Sequence, residues 1–104
     1  MDDLEITKLC AEAMGFKVER DMQTCCHCSS DDGRAVFFYD PLHDDAQAMA
    51  LVKEFKIGID CGRDGGDMSA ASLVVNGVMY VRHAEDLNRA ICECVAKMQQ
   101  EKNG

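Results

Sequence analysis

The chain has 104 residues, 47% of them hydrophobic and 29% charged, with nineteen acids against eleven bases and a formal charge of -8. This length and apolar fraction suit one globular domain over residues 1–104 and exclude a disordered chain. No apolar run is long enough to span a membrane, and the opening Met1-Asp2-Asp3-Leu4-Glu5 is acidic where a signal peptide is basic, so a soluble cytoplasmic protein is expected.

The acid excess is uneven. Residues 1–52 hold eleven acids and four bases, and residues 53–104 hold eight and seven. Attraction to a phosphate backbone needs clustered Lys and Arg, so direct binding of nucleic acid is disfavoured and a basic protein surface is the better match. Seven cysteines, an odd number without a secretory signal, read as reduced thiols rather than a disulfide framework.

Leu4, Ile6, Leu9, Cys10, Ala13 and Met14 recur at helical spacing and predict a helix over residues 2–14 that ends at Gly15. Asp2, Asp3 and Glu5 fall in its first turn, where negative charge meets the positive end of the helix dipole. From Phe16 the pattern shifts to β-forming residues. One strand begins at Phe16 and Val18, another lies around Thr24–Ser29, and a third covers Ala35–Tyr39, with Ser30-Asp31-Asp32-Gly33 as a hairpin turn.

Asp40-Pro41 breaks this meander, and Asp44 and Asp45 open a helix over residues 43–55 that carries Ala48, Leu51, Val52 and Phe55 on one side. A strand over Ile57–Cys61 leads to the glycine-rich loop Gly62–Asp67. Asn76-Gly77 between two β-prone runs predicts a tight hairpin over Leu73–Val81. Leu87, Ala90, Ile91, Cys94, Val95 and Met98 then mark a last helix over residues 84–100. The expected fold is α+β, a mainly antiparallel sheet of four to six strands covered by three helices.

Cys25 and Cys28 have the spacing of half a zinc site, with His27 between them and Cys61 as a distant fourth donor. A strand through this segment separates them, because Cys26 and Cys28 then share one face while Cys25 and His27 share the other. The residues therefore read as core and surface thiols, with no metal and no cofactor. A redox dithiol would sit at a helix start, whereas Ser29–Gly33 leads into a turn. His43 stands beside Asp44 and Asp45, which read as helix caps rather than as acid–base partners. The chain has neither a Gly-x-Ser-x-Gly elbow nor a phosphate-binding loop, so no enzyme is expected.

Tyr39–Phe55 and Leu87–Met98 resemble the second and last helices of the phage ABA-sandwich domain family, and Ile6–Gly15 is similar to its first helix. The resemblance covers the helices and carries no active-site motif. It implies a small phage or prophage protein with a sheet sandwiched between helices, acting as an accessory factor on host machinery, as anti-CRISPR inhibitors do. The expectation is a non-catalytic protein in the host cytoplasm that binds and inhibits a defence component, such as a nucleic-acid-binding CRISPR effector.

Asp31, Asp32, Asp44, Asp45, Asp64 and Asp67 are its candidate contacts, since clustered acids imitate DNA phosphates in a basic channel. One alternative is a sponge for a nucleotide immune signal, using Arg63 and Arg82. Another is a small zinc-binding protein built around Cys25, His27 and Cys28. A homodimer is also expected, through an edge strand or through the outer side of the last helix, where Cys92 and Met98 flank Leu87, Ile91 and Val95.

Overall fold

A computed structural model of the protein describes residues 2–30, 33–61 and 69–104. In chain order the elements are α1 (Asp3–Ala13), β1 (Lys17–Asp21), β2 (Cys26–Ser29), β3 (Val36–Tyr39), α2 (Asp45–Phe55), β4 (Gly58–Cys61), β5 (Ser69–Val75), β6 (Val78–Ala84) and α3 (Leu87–Asn103). This is the α+β order that the sequence predicts. No helix among the described residues is long and apolar enough to cross a membrane.

The strands do not form one sheet of four to six strands. They form two three-stranded antiparallel sheets, β1-β2-β3 and β4-β5-β6. A physical reason lies at the outer edge of β3, where the side-chain amide of Gln47 on α2 donates to the Phe38 carbonyl at 2.8 Å and accepts from the Asp40 N–H at 2.6 Å. One residue of a neighbouring parallel strand would use those two backbone groups in the same way, so the amide takes the place that a fourth strand would need.

All three helices begin the same way. Asp2, Asp44 and Asp86 are their N-caps, accepting from the backbone N–H of Glu5 at 2.8 Å, Gln47 at 3.1 Å and Asn88 at 3.3 Å. These starts also lie together in space. Arg89 in the first turn of α3 donates to Asp3 on α1 at 2.8 Å, and its neighbour Asn88 donates to Asp45 on α2 at 2.7 Å.

At the other end Ala13, Phe55 and Met98, from the last turns of α1 and α2 and the later part of α3, line one groove. The helices therefore run parallel, which sets like ends of their dipoles side by side. Aspartates at the N-termini, with Lys53 and Lys102 in the last turns of α2 and α3, offset that repulsion.

The core forms around α3, which packs on α1, α2, β5 and β6. Ala90, Ile91, Cys92, Cys94, Val95, Ala96 and Met98 are buried on it. The apolar width expected to serve a partner is thus consumed inside the chain, and the outer side of this helix offers no apolar dimer surface at Cys92 or Met98. Cys94 pins the helix to the second sheet by donating its thiol to the Ala71 carbonyl at 3.0 Å. The β5–β6 hairpin turns on Asn76 and Gly77 with φ of 52° and 80°, the pair of positive angles that the Asn-Gly signal predicts.

Candidate functional site

Alternation along β2 decides the fate of the cysteine-rich segment. Cys26 and Cys28 point inward, fully buried, with their sulfurs 3.4 Å apart. His27 points to the opposite face and stacks on Phe38, ring centroids 4.9 Å apart. Cys25 precedes the strand and is half-buried. Cys25, His27 and Cys28 are therefore not gathered as a ligand set, and the suggested fourth donor, the Cys61 side chain, lies outside the described residues. Among the described residues no three His, Cys, Asp or Glu side chains form a group that could hold a metal ion.

The close thiol pair is Cys26 with Cys28, which a Cys-x-x-Cys reading passes over. It lies near two more buried thiols, Cys10 from α1 and Cys92 from α3, and near the ring of Tyr39 from β3. The Cys10 thiol donates to the Cys92 carbonyl at 3.4 Å. Burial, followed by the hydrogen bond and charge of Cys28, pushes the Cys26 thiol up to about 12.

Burial likewise raises Cys10 well above the ordinary thiol range and lifts the Tyr39 hydroxyl far above that of a free phenol. That hydroxyl is buried without a hydrogen-bond partner among the described residues. Thiols held protonated in this way are poor nucleophiles and act as small hydrophobes.

The acidic candidates divide. Asp31, Asp32, Asp64 and Asp67, together with Arg63, lie outside the described residues. Asp44 caps α2, and Asp45 holds Asn88. His43 bonds through Nδ1 to the carboxylate of Asp40 at 3.0 Å, the partner that sequence adjacency did not indicate. Arg82 donates to the carbonyl of Val81 at 2.9 Å.

What the structure brings together is a different acidic set at the convergent helix starts. Asp2, Asp44, Asp45, Glu85 and Asp86 are exposed there, with Asp3 half-buried beside Arg89. Arg89 also reaches Glu93 at 3.5 Å, and the Asp3 hydrogen bond is the first of the causes that raise its pKa, so it stays charged. Sequence reasoning missed Asp3, Asp86, Asn88 and Arg89 as parts of one site because the contacts that join them span 43 and 86 positions of chain.

At the opposite end of the helices a groove of about 540 Å³ has an apolar floor of Ala13, Phe55, Val75 and Met98. Tyr80 donates to Glu101 at 2.7 Å on its rim. No family model and no curated protein matches the chain.

Proposed function

We propose that this is a non-catalytic phage accessory protein that binds and inhibits a host defence component by presenting its acidic end to a basic protein surface. The phage assignment rests on the helix segments that resemble the ABA-sandwich domain family. The binding mode rests on one observation, the pair of contacts Arg89–Asp3 and Asn88–Asp45 that draws three helix starts together.

Each cap uses one carboxylate oxygen on a backbone N–H. The other oxygen retains its lone pairs for a basic partner. Because the carboxylates stand on helix starts rather than on loose loops, the negative surface is preorganised and little conformational entropy is lost on docking. A channel lined with Lys and Arg, as in a nucleic-acid-binding effector, is the matching partner. Attraction of this kind speeds encounter and weakens as salt screens it.

The reading is tested by pull-down from host lysate at low and high salt, using the wild type and an Asp45→Asn/Glu85→Lys variant. Wild type is expected to capture a nucleic-acid-binding protein in a salt-sensitive manner, and the variant to lose it while keeping its helical circular dichroism. Capture by neither protein at either salt, or equal capture by both, would overturn the proposal.

A further inference from the structure

Among the described residues, β6 is the outer strand with a long and open edge. β1 is guarded by a register shift between Val18 and Arg20 and by the exposed charges of Lys17, Glu19 and Asp21. β3 is closed by the Gln47 amide, and β4 is only four residues long. β6 runs for seven residues without Pro, Lys, Asp or Glu.

The two-residue turn at Asn76-Gly77 makes Val75 and Val78 the closing hydrogen-bonded pair, so along β6 the backbone groups of Met79, Val81 and His83 face away from β5. Among the described residues no backbone hydrogen bond from another element reaches those three. The guanidinium of Arg82 covers only the Val81 carbonyl. The same residues carry the exposed side chains of the outer face, with Met79 at 66% and Val81 at 37% exposure.

We infer that this edge docks a second copy of the chain, β6 pairing antiparallel with β6 about a two-fold axis at Val81 to make one six-stranded sheet. The inference is independent of the acidic end and of any host partner. Self-complementarity argues for a copy over another partner. Pairing Val81 with itself sets Met79 opposite His83 and Tyr80 opposite Arg82, and every outward backbone group then meets an outward one.

No like charges oppose one another in that register, although two chains of -8 are being joined. The strand is free of acids, Tyr80 offers its ring and Arg82 its cation across the axis, and Met79 lies diagonal to Val81 for lateral packing. Arg82 gives up the Val81 carbonyl to the Val81 N–H of the copy.

The test is sedimentation equilibrium across a concentration series in reductant, which removes any link through the half-buried Cys25. Wild type is expected to associate reversibly to a dimer. Val81→Lys and Val81→Glu each set like charges face to face at the axis and are expected to weaken association by at least about tenfold. An equimolar mixture of the two variants is expected to restore it. Position 81 is on the exposed face, and unchanged melting of each variant separates lost pairing from lost folding. A monomeric wild type at the highest soluble concentration, undiminished dimerisation of either variant, or a mixture no better than its parts would overturn the inference.

Discussion

β3 and β6 are both edge strands that feed an Asp-capped helix, yet one edge is closed and the other open. β3 is followed by a helix whose Gln47 reaches back to supply the donor and acceptor of a missing neighbour. β6 is followed by a helix whose side chains turn to the core, so nothing from α3 returns to the edge. Their inner faces differ as well. The first sheet buries thiols and aromatic rings, with Phe16 packed edge-on against Phe37 at 5.0 Å and Tyr39 at 5.4 Å, whereas the second buries Ala71 and Leu73. On β3 one helix side chain supplies both of the hydrogen bonds that a residue of a neighbouring strand would make.

The largest expected effect exploits the thiol-lined face. A thiol whose pKa rises on folding favours the native state while protonated. Its contribution is complete below the ordinary thiol value of 9.0 and fades as pH climbs toward about 12, the value reached by Cys26. The full loss for this one group is on the order of 4 kcal/mol. Urea midpoints followed from pH 8 upward should fall steeply past pH 9, and less steeply in Cys26→Val. Equal slopes in the two proteins would remove the thiol contrast between the sheets.

Gln47→Ala attacks the guarded edge. It should cost about 2 kcal/mol in urea unfolding, since two backbone groups lose their partner. In a Val81→Lys background it should also create a new, concentration-dependent association through β3, visible by light scattering. A protein equally stable and equally monomeric would show that Gln47 is not the guard.

The smallest effect concerns the Tyr39 hydroxyl of the first sheet, buried without a partner among the described residues. Tyr39→Phe removes it without altering the ring packing and should stabilise the protein by about 1 kcal/mol, raising its melting temperature. A lower melting temperature would mean that the hydroxyl has a partner after all.

The helices were legible because their signals are local. Asp44, read as a cap, is one, whereas Asp2 and Asp86, expected inside helices over residues 2–14 and 84–100, are the caps of helices that start at Asp3 and Leu87. The Asn76-Gly77 turn was legible for the same reason, as was the alternation that separates His27 from Cys28. The division into two sheets was not, because it depends on an amide seven and nine residues downstream of the groups it blocks, and Gln47 has no distinctive pattern around it. The acidic end was partly legible. Asp44 and Asp45 were named from the helix start, but Asp3 and Asp86 join them only through Arg89 and Asn88, whose partners are set by helix packing. The final helix looked too wide for its own chain because the sequence does not show how many elements surround it.

The parallel helices make the folded chain electrically polar. Uncompensated acids gather at one end, while at the other Lys53 and Lys102 are balanced by Glu54 and Glu101, the two ends being separated by the length of α3, about 25 Å for its seventeen residues. α3 runs against β6, since Tyr80 near the start of that strand reaches Glu101 near the end of the helix. A two-fold axis that reverses β6 therefore reverses the helices too, and the permanent moments of the two copies cancel. A single copy turns in the field of an approaching charge and presents its acids first. In the dimer we infer, that orienting torque is largely lost while the negative charge doubles, so dissociation would give back a particle that arrives oriented.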